Sequence, residues 1–331
     1  MYKLLAATNI VGMETLFDEL KDLVHIDVVP ARREEIMSCI SEYDGYICPL
    51  EVRTDREILE QGKKLKAVFT VTTGLDHIDL DIAREKGIAV YGMKNDREFL
   101  DNVTATAELA LGLLLALERR LPWAFDAVKQ GIWDREAYKG HQLNGKTMGI
   151  WGYGRLGTIM RQYAQALRMR VIAYDTCPSD SPDVEWVSQE ELLSQSDVIS
   201  LHIHLNESTH NLLNRDVFHQ MKPGMIVINT SRGGIINEPD LIHAMDSGIV
   251  RGFAGDVIAG EWGNVGDNLL VQYAKKHENL LLTPHIGGAC YEAQLQALGN
   301  VLVKVRDFFQ NACQPDATEA LVRSLMNGTI N

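Results

Sequence analysis

Basic residues are the minority here: 32 Lys and Arg face 45 Asp and Glu over 331 residues, a formal net charge of −13. A chain that binds nucleic acid needs clustered cations to displace phosphate counterions. No basic stripe offsets the deficit, so that class of partner is not expected. Long apolar runs are also missing. The opening MYKLLAATNI lacks a signal peptide's apolar core and cleavage site, and the most apolar stretch, 109–117, is flanked by Glu108 and Glu118. It is too short for a membrane span and reads as a buried helix of a cytoplasmic protein. Cysteines are few and odd in number: Cys39, Cys48, Cys177, Cys290 and Cys313, with no CxxC. They read as reduced, mostly buried thiols. His202, His204 and His210 form the densest histidine group, but no carboxylate or cysteine at matching spacing accompanies them, so no metal is expected. Internal repeats and low-complexity tracts are lacking too.

What is present is alternation. Short β-rich runs and helical stretches follow one another, the pattern of parallel sheets covered by helices on both faces. The fold class expected is α/β. Strands are predicted over 2–8, 25–29, 45–49, 66–71 and 88–92, a five-stranded doubly wound unit. A helix is predicted from 104 to 120, stopping or kinking before Pro122. The polar, glycine-rich GIWDREAYKGHQLNGK then reads as a surface arm. Strands over 147–151, 170–174, 197–203, 225–230, 252–257 and 279–283 make a second, six-stranded sheet, and a helical stretch over 292–309 closes the chain.

The second series opens with Gly152-Tyr153-Gly154-Arg155-Leu156-Gly157, placed between the strand TMGIW and the helical TIMRQYAQAL. In that context the first glycine serves the tight turn, the second lets backbone approach a pyrophosphate, and the third lets helix pack on strand. Amides at the helix start would bind the phosphates. Asp175 ends the next strand, where a carboxylate accepts from ribose hydroxyls and repels a 2′-phosphate. No Arg or Lys follows it in DTCPSD, so NAD is expected over NADP.

Residues 226–237 read IVINTSRGGIIN, a buried-looking run that holds Arg232 before two glycines expected to turn the backbone away. Arg232 follows a predicted strand at the sheet's carboxyl edge, where open α/β folds bind ligands. Glu261 and His285 stand after the next two strands. A histidine can donate a proton near neutral pH. A carboxylate beside it favours imidazolium and orients the ring. An arginine fork binds a carboxylate and polarises a carbonyl.

These features occur in VTTGLDHIDL (71–80), TATAELALGLLLAL (104–117), LNGKTMGIWGYGRLG (143–157), INTSRGGIIN (228–237), GDVIAGE (255–261) and TPHIGGACYEA (283–293). With them the chain resembles the D-isomer-specific 2-hydroxyacid dehydrogenase family over essentially its whole length. The resemblance implies NAD-dependent hydride transfer to or from C2 of a small 2-oxo or 2-hydroxy acid, with His285 as acid/base, Glu261 as its partner and Arg232 on the substrate. It implies substrate contacts from the Thr73, Gly74 and Leu75 amides and from Arg53. Cofactor contacts are implied for the glycine motif, Asp175, Thr104, His202, His204, Thr209, Thr230, Ser231, Asp256 and Gly287. A Rossmann NAD domain over 99–286 would be inserted into a flavodoxin-like substrate domain, 1–98 plus 287–331, with hinges at the crossings and a cleft that closes on substrate. The 104–120 helix and the arm imply a two-fold homodimer, and no appended regulatory domain is expected after the closing helix. An NAD(H)-sensing, corepressor-like protein is the alternative from another class. Formate oxidation fits less well, because Glu261 stands where formate enzymes of this fold have glutamine. The chain departs from the family pattern at His204, Ile258 and Trp262, and in the 92–102 loop, which adds Lys94, Arg97 and Asp101. These departures leave the three ionisable residues in place, and the resemblance does not assign the particular acid.

Overall fold

The computed structural model describes residues 1–8, 14–94, 96–179 and 181–312; Cys313 and the side chain of Arg97 lie outside the described set. The chain forms two units, Met1–Leu100 with the segment from Tyr291 on, and Asp101–Cys290. In the first unit the strands are β1 (Tyr2–Ala7), β2 (Val24–Val29), β3 (Gly45–Cys48), β4 (Ala67–Thr70) and β5 (Ala89–Tyr91). They form one parallel sheet in the order β2-β1-β3-β4-β5. Because side chains alternate between the two faces of a strand, the central part of β1 carries apolar residues in succession, buried on both sides. Leu4 and Ala6 pack on one face with Val301, Val305 and Phe309 of the closing helix Tyr291–Ala312, while Leu5 and Ala7 pack on the other with Ile36, Ile58 and Ile82.

The second unit contains β6 (Thr147–Trp151), β7 (Arg170–Tyr174), β8 (Glu185–Trp186), β9 (Val198–Leu201), β10 (Met225–Asn229), β11 (Val250–Gly255) and β12 (Leu280–Leu282). Its order is β12-β11-β10-β9-β6-β7-β8, all parallel. The sheet therefore has seven strands where the sequence predicts six. The extra one, β8, is a two-residue edge, too short to show any periodicity. In β10, Met225 and Val227 face one core and Ile226 and Ile228 the other. Burying each such side chain contributes about 1.5–3 kcal/mol. Strand order reverses between β6 and β9, which makes their carboxyl ends a switch-point crevice.

The helix predicted over 104–120 runs Ala105–Glu118 and stops before Pro122, as expected, but a second helix, Leu121–Lys129, follows at once: Arg120 takes a left-handed φ of 54° between the two, and Pro122 lies in the second helix's first turn. Proline there starts a helix instead of ending one, since its missing N–H would have no partner in the first turn. The cysteine expectation fails in part. Of the four described, only Cys48 is buried; Cys39 and Cys290 are half-buried and Cys177 is exposed. No described helix is long and apolar enough to cross a membrane.

Candidate active site

The glycine motif sits at the switch point. Gly152 has φ +94°, and a Cβ there would come within 2.5 Å of the His202 carbonyl oxygen at the end of β9. A Cβ on Gly157 would meet the Gly152 carbonyl oxygen at 2.4 Å, whereas at Gly154 nothing lies within 4 Å. Two glycines are thus demanded by packing, and the third leaves open space at the start of the helix Arg155–Ala166, as a pyrophosphate requires. Asp175 accepts from the Tyr153 amide at 2.7 Å and the Cys177 amide at 2.9 Å, which fixes its carboxylate beside the glycine loop. At the neighbouring strand ends, His202 Nδ1 and Thr230 Oγ1 are buried with no partner among the described residues. Burial pushes the His202 ring down to about 4, so it stays neutral, with Nε2 2.9 Å from Ser200 Oγ. Two orphaned polar atoms at strand ends beside an open glycine turn fit a polar ligand with phosphate groups.

Other residues expected to touch a cofactor are engaged within the protein. Thr209 donates to the His204 carbonyl at 2.7 Å, and Ser231 donates to the Leu201 carbonyl at 2.7 Å. His204 is exposed. Thr104 donates to Glu108 at 2.5 Å. Asp256, 1 % exposed, accepts from Thr283 Oγ1 at 2.5 Å and from the Ile286 and Gly287 amides at 2.9 and 2.7 Å. Burial holds its carboxyl above the usual range, although the three donors pull the other way. The Asp256 side chain thereby shapes the turn that carries His285.

Arg232, Glu261 and His285 follow β10, β11 and β12, three adjacent strands, at their carboxyl ends. His285 takes the left-handed φ of 54°, a conformation that residues with a β-carbon disfavour, Asn, Asp and His less than the rest. Its Nδ1 lies 3.0 Å from both Glu261 carboxylate oxygens. Arg232 is half-buried, and its guanidinium donates to the Ser231 carbonyl at 2.8 Å. Asn229 steadies the Arg232 turn, donating to the Arg232 carbonyl and accepting from the Ser231 amide, each at 3.0 Å. The glycines after Arg232 serve differently from expectation. Neither takes a positive φ, and a Cβ on Gly233 would fall 1.9 Å from the Ile258 carbonyl carbon. Gly233 is required for close approach of the Arg232 turn to the loop that leads to Glu261, not for a change of direction. Among the described residues no His, Cys, Asp or Glu group is arranged to hold a metal.

In the first unit, Arg53 lies exposed in the loop after β3, and Thr73, Gly74 and Leu75 form a half-buried turn after β4. The Thr54 amide donates to the His77 carbonyl at 2.8 Å, bringing these two loops together. Sequence reasoning passed over what supports the turn. Thr72 donates to the Gly74 carbonyl at 2.7 Å, Thr70 and Thr72 hydroxyls are 2.9 Å apart, and His77 Nε2 is 3.2 Å from Thr70. Each hydroxyl has one proton, so the order is set from the carbonyl backwards and His77 must carry its proton on Nε2.

Comparison with known proteins places the chain in a family. Residues 111–287 match the family model described as D-isomer specific 2-hydroxyacid dehydrogenase, NAD binding domain. The chain is 37% identical over 265 residues to a hydroxypyruvate reductase of Thermotoga maritima, covering 79% of this chain and 83% of that protein. It is 35% identical over 267 residues to a D-3-phosphoglycerate dehydrogenase of Archaeoglobus fulgidus, covering 80% of this chain but only 49% of that longer protein. The fold superposes on the D-lactate dehydrogenase of Aquifex aeolicus, solved with NAD and lactic acid, with a TM-score of 0.80 and 26% identity over 93% of this chain and 95% of that one. The chain belongs to the D-isomer specific 2-hydroxyacid dehydrogenase family, whose members are NAD-dependent oxidoreductases acting on CH–OH groups. NAD is its cofactor.

Proposed function

We propose that the protein interconverts a small 2-oxo acid and its D-2-hydroxy acid, with His285 as acid/base, Glu261 as its partner and Arg232 on the substrate. The observation that carries this is the symmetric seat of His285 Nδ1, 3.0 Å from both oxygens of Glu261. With Nδ1 so held, Nε2 is the nitrogen that exchanges a proton with the substrate oxygen. The Glu261 carboxylate, facing Nδ1 with both oxygens, fixes the orientation of the ring. Arg232 binds the substrate carboxylate through its planar fork and polarises the carbonyl. Bound NAD(H) supplies and accepts the hydride. The Gly152–Gly157 turn and the following helix start hold its pyrophosphate, Asp175 its adenosine ribose, and Thr230 and His202 offer polar contacts deeper in the crevice.

The Thr73–Leu75 amides receive the substrate carboxylate, and exposed Arg53 and Lys94 are suited to a second acidic group. Small acids of the hydroxypyruvate and phosphoglycerate type are the substrates to try first, in keeping with the named relatives. The protein acts as a homodimer, a reading supported by the exposed apolar side chains of Leu121, Phe125, Val128, Ile132 and Trp133, and it works in the cytoplasm. The test is NADH oxidation measured with a panel of small 2-oxo acids, beside Arg232→Ala. At least one acid should turn over, and the variant should lose kcat/KM by roughly 100-fold or more, with KM and kcat both affected. No turnover with any 2-oxo acid, or an unimpaired variant, would refute the reading.

A further inference from the structure

One buried carboxylate has no part in the chemistry described. Glu238 is 7 % exposed and begins the helix Glu238–Asp246, six residues after Arg232. Its Oε1 accepts from the Ala259 amide and its Oε2 from Asn268 Nδ2, both at 2.8 Å. Asn268 Nδ2 also donates to the Ala259 carbonyl at 3.2 Å, while Asn268 Oδ1 accepts from the Leu270 and Val271 amides at 2.9 and 3.2 Å and so caps the helix Leu269–Ala274.

Both polar groups of Ala259 are therefore held. Its N–H is held by Glu238 and its C=O by Asn268. Because peptide units are planar, this fixes the Ile258–Ala259 and Ala259–Gly260 planes. Gly260, at φ +69°, then delivers the chain to Glu261, two residues beyond the clamp. The same peptide is the surface against which Gly233 packs, its absent Cβ leaving room for the Ile258 carbonyl and the Ala259 nitrogen. The segment that carries Arg232 is thus joined twice to the loop that carries Glu261: by backbone contact at Gly233 and by the Glu238 carboxylate.

We propose that Glu238 is a positioning residue, which sets Glu261 against His285 and holds it in register with the Arg232 turn. The proposal rests on the roles given to Glu261 and His285 above. An acid needed only to start its helix would be served by any exposed first-turn carboxylate. Glu238 instead turns inward and spends both oxygens on the Ala259–Asn268 loop.

The test uses the full chain and the best 2-oxo acid of the panel. Glu238→Gln keeps an oxygen for the Ala259 amide but sets its NH2 against that of Asn268. It should lower kcat roughly ten- to 100-fold, the scale of a small misplacement of a catalytic group, with the Kd for NADH changed less than about twofold. Added to Glu261→Gln it should cost little more than Glu261→Gln alone, since the group it positions is already disabled; damage of a merely structural kind would multiply. Asn268→Asp in the Glu238→Gln background restores a donor–acceptor match with residue 238 but sets a carboxylate oxygen against the Ala259 carbonyl, so it should recover only part of the lost kcat. A full multiplicative loss in the double variant, an equal loss of NADH binding, or an unchanged kcat in Glu238→Gln would overturn the proposal. If Glu261→Gln is itself fully active, it is the underlying reading of Glu261 that fails.

Discussion

Replacing His285 by asparagine should separate chemistry from stability. His285 sits at φ 54°, which costs a β-carbon-bearing residue about 1–2 kcal/mol, and asparagine is among the side chains that tolerate this region best. The substitution therefore regains some fraction of that strain. Against this stands the loss of the contact with Glu261, where both side chains retain some solvent exposure, 23 % and 16 %. Screening keeps such a contact to roughly 1 kcal/mol. The two effects oppose, so the net change should lie within about 1 kcal/mol, a shift of no more than roughly 4 °C in thermal midpoint for a unit of this size. Catalysis has no such compensation. General acid–base groups contribute about 10²–10⁴-fold, and asparagine can donate a hydrogen bond but cannot transfer the proton. The variant should keep its fold and NADH binding, shown by circular dichroism and fluorescence titration, while kcat for 2-oxo acid reduction falls by at least about 100-fold. A variant that retains most of its turnover, or one that loses activity only because it melts many degrees earlier, would refute the assignment.

Two further outcomes follow from neighbouring carboxylates. Burial holds the Asp256 carboxyl above its ordinary range, so the folded protein binds that proton more tightly than the unfolded chain. Its stabilising contribution is complete below the unfolded value of about 3.9 and is lost as pH rises through the raised folded value. Urea titrations should thus show the wild type losing ground to Asp256→Asn from about pH 4 upward; a difference independent of pH would contradict this. Asp175→Ala should relax discrimination against NADP, measured as the ratio of kcat/KM for NADH to that for NADPH, because the carboxylate beside the glycine loop repels a 2′-phosphate; an unchanged ratio removes Asp175 from cofactor choice.

Legibility from sequence tracked the distance over which each feature is decided. Long apolar strands such as 147–151 and 170–174 were placed to the residue, because parallel strands buried on both faces need apolar side chains throughout. The Gly152–Gly157 turn was readable because two of its demands, the positive φ at Gly152 and the contact of Gly157 with the Gly152 carbonyl, are met within a few residues of chain. The two-residue β8 carries no periodic signal. The helix Leu121–Lys129 also escaped, since Pro122 reads equally as a stop or as a start.

The chemistry-bearing residue types and their chain order were written in the sequence, since an arginine, a glutamate and a histidine after successive strands must come to one sheet edge if those strands are parallel neighbours. Only the folded chain decided how they are held there. It revealed that Gly233 exists to admit the Ile258 peptide, that Asp256 shapes the His285 turn, and that Glu238 grips Ala259. Those contacts join residues 21 to 31 positions apart, and no local pattern in the chain can record which distant amide a buried carboxylate will find.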